Sequence, residues 1–457
     1  MNTMIHEARL LWRQPVPVVA LLVLLLLSTL AVVVGQREVA AQRDTIARLA
    51  VLQQQDLDAQ ARKHLKRGDA GTVAYYTFHG TEDTPSPTAF LALGLRDASP
   101  YVMRVRALAL QAQLHEGETF NPELVLAGRF DFAFVLVYLA PLFVIALLHD
   151  LVSSERRAGR LALLAALPGG GRRLWLRRAA LRTALAFTAL VLPAMVALGH
   201  GGASLAAMVV VVGATAAYVL FWAGVSLVVA ARAGGSAAHA TTLMGTWAVL
   251  TLLLPTLASA VLSRAVPVHQ GVDLMLAQRQ AVHGAWDLPP DDTMARFFVG
   301  HPEWRDTAPL PSGFHWKWYF AFQQLGDEHV ADQVAAYRAA LQSRQRWTDR
   351  LGWLLPGVGV QAALHRQAGT DLGAQLAYQD AVAAFHTRLR TFFYPYLFRD
   401  VAFGAKDFAA QPRFEAPTGA PGVPVSQVIG LVFAGLLATV AGTRAAGRVR
   451  VKEGGRS

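Results

Sequence analysis

Seventeen consecutive positions, Val18 to Val34, carry no charge and only two polar side chains, Ser28 and Thr29. A membrane helix needs about 20 mainly apolar residues to cross about 30 Å of hydrocarbon, so this run suits a bilayer better than a soluble core. The rest of the chain agrees. Of 457 residues, 54% are hydrophobic and 16% charged, where soluble chains carry about a quarter charged residues. Arg9 and Arg13 ahead of the run give it the look of a signal peptide. The stretch from Pro17 to Val34 is longer than the roughly 7 to 15 residues of a signal h-region and lacks a small-x-small cleavage site, so an uncleaved first span is expected.

Six stretches reach spanning length: 16–35, 131–149, 183–200, 204–230, 240–262 and 425–443. The expected fold class is therefore an all-α polytopic membrane protein. Pro193 and Pro255 fall inside the third and fifth spans, where neighbouring helices can satisfy the carbonyls that a proline frees. Residues 1–15, the loop 150–182, the turn 231–239 and the tail 444–457 hold sixteen of the 42 Lys and Arg, against Glu7, Asp150, Glu155 and Glu453. The segments 36–130 and 263–424 are balanced, with eleven basic and eleven acidic residues in one and fifteen of each in the other. Basic residues gather on the cytoplasmic side of spans. Both termini are therefore expected in the cytoplasm and both long segments outside. Topology and anionic lipid then account for the net charge of +11, and no nucleic-acid partner is expected.

The first outer segment opens with a stretch lacking Gly and Pro, Gln36 to Arg67, which reads as a polar continuation of the first helix. The β-branched and aromatic patch Thr72 to Phe78 suggests a short strand. In the second outer segment, helices are expected over 323–355 and 371–393, the latter with Tyr378, Val382, Phe385, Leu389 and Phe392 on one face. The two insertions together suggest a mostly helical extracytoplasmic domain.

Several chemistries lack their residues. Without cysteine there is no disulfide, thiolate metal site or cysteine nucleophile. No phosphate loop occurs, because the run Pro168 to Gly171 lacks the lysine and hydroxyl residue that hold nucleotide and magnesium. No catalytic or metal-binding constellation is visible, so an enzyme is not expected. Gly213, Ala216, Ala217, Ala223 and Gly224 in the fourth span would allow close helix approach.

The most informative segment joins the second and third spans: Ser153, Ser154, Glu155, Arg156, Arg157, Ala158, Gly159, Arg160, then Leu161 to Pro168. A basic helix on anionic lipid is one reading; a docking helix for a cytoplasmic partner is the other. The pattern of Glu155, Gly159, Leu161, Leu164, Leu167 and Pro168 resembles the coupling loop of ABC-2-type transporter permeases. The amphipathic N-terminus, with Ile5, Leu11 and Trp12, is similar to that family's interfacial elbow helix. Large insertions after spans one and five, with Leu355-Pro356 and Ala368-Gly369-Thr370-Asp371, resemble a bacterial branch of the family. The resemblance implies an inner-membrane permease, without naming a substrate, whose ATPase-coupling residues are Glu155, Arg156, Gly159, Leu164, Leu167 and Pro168. It also implies a separate cytoplasmic ATPase that carries ATP and Mg, and a second permease copy or similar permease as partner. Export is the direction expected, and a periplasmic partner is left open. The alternative is a mechanical transmitter that passes ATPase motion to the outer domain without moving solute.

Overall fold

The structure is a computed structural model and describes residues 2–64, 69–97, 99–115, 130–166, 171–268, 271–417 and 422–449. Helix α1 (Asn2–Trp12) leads into α2 (Pro15–His64), which at 50 residues is about 75 Å long. Its apolar first half exposes Val19, Leu22, Leu26 and Leu30 and buries Leu24, Ala31 and Val32. Its polar second half continues without a break. Then come α3 (Ala70–Tyr76), β1 (His79–Glu82), β2 (Val102–Val105) and α4 (Leu110–His115). The two strands pair antiparallel, with His79 opposite Val105. Thr72 to Phe78 is thus not a strand. Asp69 accepts from the Gly71 amide and caps α3, while Val73 and Ala74 pack inward; the strand starts only at His79.

Helix α5 (132–148), the short helices α6 (Ser153–Arg157) and α7 (Leu161–Ala165), α8 (Arg172–His200), α9 (Leu205–Ala230) and α10 (Ser236–Ala265) follow. After them come α11 (Gly271–Gly284), α12 (Pro290–Gly300), α13 (Trp316–His329), α14 (Ala331–Leu354), α15 (Pro356–Ala368), α16 (Leu372–Phe398), α17 (Ala405–Ala409) and α18 (Val425–Ala446). The helix expected over 323–355 is two helices, parted at Val330, whose fully buried side chain sits on a non-helical backbone. Among the described residues, six helices are long and apolar enough to cross a membrane: α2, the stretch that begins with α5, α8, α9, α10 and α18.

Small residues set how these helices pack. A Cβ on Gly224 would lie 2.2 Å from the Ala438 carbonyl carbon, one on Gly435 2.6 Å from the Ala217 oxygen, and one on Gly442 2.8 Å from the Gly224 oxygen. Helices α9 and α18 therefore touch backbone to backbone, as small residues permit in apolar surroundings. Gly213 takes no part, with nothing within 4 Å of its Cβ position. Ser28 in α2 donates to the Leu190 carbonyl of α8 at 2.9 Å. Two π-helical turns, Val135–Leu139 and Ala248–Leu253, come just before Pro141 and Pro255. Proline removes one backbone donor and crowds the carbonyl four residues back. For Pro141 that carbonyl is Val137, and the buried Tyr218 hydroxyl donates to it at 3.0 Å.

A second, aromatic body gathers α3, α4, both strands and α11–α17 except α14 and α15 around Phe297, Phe322, Phe385, Phe393 and Phe398. Both long segments build it: Tyr378 and Thr81 hydroxyls lie 2.9 Å apart, and Asp327 accepts from the Leu110 amide at 2.8 Å. Helix α15 instead buries Val360, Ala363 and Leu364 in the core of the apolar bundle. It fits there because Gly359 meets Gly352 of α14 so closely that a Cβ would lie 2.5 Å from the Gly352 oxygen.

Candidate coupling site

Of the six residues singled out from the sequence, Glu155, Arg156, Gly159 and Leu164 are among the described residues, and their surroundings differ. Glu155 is 8% exposed and sits inside an ion-pair network. Arg178 of α8 donates to it from Nη1 at 2.7 Å and to Glu7 of α1 from Nε at 3.0 Å. Arg160 donates from Nε to the other Glu155 oxygen at 2.7 Å. One turn further along α8, Arg182 donates to the Leu147 carbonyl and to the Gln14 side chain at 3.1 Å, and lies 3.6 Å from Asp150. Glu7, Glu155, Arg160, Arg178, Arg182 and Leu164 line a cavity of about 260 Å³. The Arg178 pairs, with side chains 19% exposed on the arginine and 11% on each carboxylate, interact more strongly than exposed pairs, whereas Arg160 is 62% exposed and its pair is screened by water. The network ties α1, the α6–α7 segment and the start of α8 into one unit.

Arg156 points elsewhere, donating from Nη1 to the Gly234 carbonyl at 2.8 Å in the turn before α10. Arg157 donates to the Ser236 hydroxyl at 2.6 Å, and the Ser153 hydroxyl lies 2.8 Å from the same group. Gly159 adopts φ +70, with nothing within 4 Å of its Cβ position, and provides the left-handed turn between α6 and α7. Leu161 is buried and Leu164 half-buried, whereas Leu163 is 72% exposed and Ala162 and Ala166 are exposed. Leu167 and Pro168 lie outside the described residues. An outward apolar face therefore centres on Leu163. Sequence reasoning missed Leu163, Glu7 and Arg178; the exposed leucine could have been found from the turn that Gly159 makes, but the pairing of Glu7 with Arg178 spans 171 positions and leaves no local signal.

Both described chain ends lie at this end of the bundle: α1 packs on α8, and a Cβ on Gly447, just past α18, would lie 3.2 Å from Arg172. At the other end, the Ala368-Gly369-Thr370-Asp371 pattern is a junction. Gly369 closes α15 at φ 65, and Asp371 caps α16 by accepting from the Ala374 amide at 3.1 Å. The Thr370 hydroxyl donates to the Ala92 carbonyl at 2.7 Å, and the Leu95 amide donates to the Thr370 carbonyl at 3.0 Å. Asp131 caps α5 and also accepts from the Leu93 amide at 2.9 Å. Nearby, Arg366 of α15 pairs with Asp349 of α14 at 3.1 Å and donates to Gln427 of α18 at 3.3 Å, while Gln427 donates to Asp349 at 2.8 Å. The junction of α15 with α16 is thus tied to the segment 92–95, and α14 and α15 to α18, by directed polar contacts.

A family model described as a domain of unknown function (DUF3526) matches residues 273–416, from the first turn of α11 to just beyond α17. No curated protein and no solved structure matches the chain.

Proposed function

We propose that this chain is the membrane-spanning permease subunit of an ABC transporter of the ABC-2 type, in the bacterial inner membrane with both termini cytoplasmic, energised by a separate ATPase. The observation that carries the reading is the α6–α7 segment: clamped to α1 and α8 through Glu155, Arg178 and Glu7, yet presenting Leu163 outward. A rigidly held segment with an apolar face is what a cytoplasmic ATPase needs in order to move the helices behind it. The concentration of basic residues at the same end supports a cytoplasmic setting for that face and a periplasmic one for the aromatic body. Because the chain lacks a phosphate loop, ATP and Mg belong to the partner, and a second permease copy or a similar permease completes the assembly.

A second reading, mechanical transmission without solute movement, is favoured by the Arg366, Asp349 and Gln427 network, which fastens α18 directly to α14 and α15. Reconstitution with the ATPase tests both. Transport predicts solute movement tied to ATP hydrolysis; transmission predicts hydrolysis that responds to the periplasmic region with no solute flux. Glu155→Lys places a cation against Arg178 and is expected to uncouple hydrolysis from either output at unchanged membrane abundance, while Arg173→Ala, at an exposed site, has little effect. Wild-type coupling in Glu155→Lys would overturn the docking role of the segment.

A further inference from the structure

Between the polar half of α2 and the chain following α17 lies a cleft of about 490 Å³, within the about 300–1,000 Å³ usual for small-molecule sites. Ile46, Leu49, Gln53 and Leu57 of α2, spaced along one helical face, form one wall; β1 forms the back, and Phe408 and Phe414 close the other side. Both long segments of the chain therefore contribute to it.

Its polar groups are unfinished. His79 and Gln411 both line the cleft and are 6% and 8% exposed. His79 Nε2 and Gln411 Oε1 are sealed from solvent and have no hydrogen-bond partner among the described residues. Buried polar atoms are normally paired, and leaving one unpaired is costly. The Gln411 amide nitrogen already donates to the Phe408 carbonyl at 3.0 Å, which leaves the oxygen without a partner among the described residues. Glu82 stands half-buried in the same cleft, its carboxyl pushed above the ordinary range by burial with no basic group offsetting it. The imidazole of His79, driven down to about 4 by burial, is neutral at physiological pH and does not repel a cation. Among the described residues, exposed Asp58 adds a second carboxylate to the lining and exposed Arg413 a guanidinium. Acceptors outnumber donors, and the walls are largely apolar.

We propose that this cleft binds a small amphipathic organic cation, its amine held by Glu82 and its apolar body lying against Leu49, Leu57, Phe408 and Phe414. The site stands independently of the reading of the spans, since binding requires neither an ATPase nor transport. Calorimetric titration of the full chain in lipid nanodiscs, with 4-phenylbutylamine and 4-phenylbutyrate as probes, tests it, because the two share an apolar body and differ in charge. The amine is expected to bind saturably at one site, and the carboxylate at least about tenfold more weakly, as loss of one charge-assisted hydrogen bond implies. Glu82→Gln should weaken the amine by a similar factor. Ala50→Trp, on the exposed part of the α2 wall, should abolish binding by filling the cleft. Equal affinity for the two probes, no saturable amine binding by the wild type, or full amine affinity in a folded Glu82→Gln variant would each overturn the proposal.

Discussion

His386 is wholly buried with Nε2 2.5 Å from the Leu108 carbonyl, and His79 packs edge-on against Phe385 with ring centroids 5.8 Å apart. Burial drives His386 down to about 3, helped by the neighbouring Arg390 cation, and His79 down to about 4. Unfolding frees both to titrate near 6.5. Between those values the unfolded chain binds more protons than the folded one, so stability falls as pH drops below about 6.5 and levels off below the folded values. Each histidine raises the unfolding constant by up to about tenfold per pH unit in that window. Hydrogen exchange in the segments 79–105 and 372–398 is expected to quicken from pH 6.5 to pH 4, and these two groups contribute no change from pH 7 to pH 8. A pH-independent exchange profile across the acid range would contradict the neutral burial of both rings. Neither ring's setting was legible in the sequence, because each packs against a residue of the other long segment, His79 on Phe385 and His386 on the Leu108 carbonyl.

At the scale of elements, the contact of α9 with α18 rests on glycine. Gly435→Leu cannot be accommodated by a side-chain shift, because the obstacle is the Ala217 backbone oxygen; the helices must separate, at a cost of about 1–3 kcal/mol. A lower thermal midpoint in detergent is expected, whereas Gly213→Ala, with open space at its Cβ position, leaves the midpoint level or raises it. The fourth span's small residues announced a close contact, but which of them serve it depends on the facing of α18, which the fourth span alone does not carry. The six apolar helices and the polar continuation of α2 were readable because hydropathy and the lack of Gly and Pro act locally. The break at Val330 was not, since no Gly or Pro marks it and a buried contact decides it. Thr72 to Phe78 misled for a related reason: its β-branched and aromatic residues favour a strand in isolation, but the Asp69 cap and a glycine packed under Trp316 impose a helix.

On the scale of the whole molecule, the account joins an anchored α6–α7 segment at one end of six apolar helices to an aromatic body at the other, through α14, α15 and α18. The absence of cysteine makes the central claim, docking of an ATPase on the α6–α7 segment, accessible to single-cysteine cross-linking. Leu163→Cys and Leu354→Cys place one thiol at each end, at side chains 72% and 77% exposed. The proposed reading predicts that, in native membranes, Leu163→Cys cross-links to a nucleotide-binding protein and Leu354→Cys does not. A cross-link to that protein from Leu354→Cys, or none from Leu163→Cys in membranes that retain the ATPase, would contradict it.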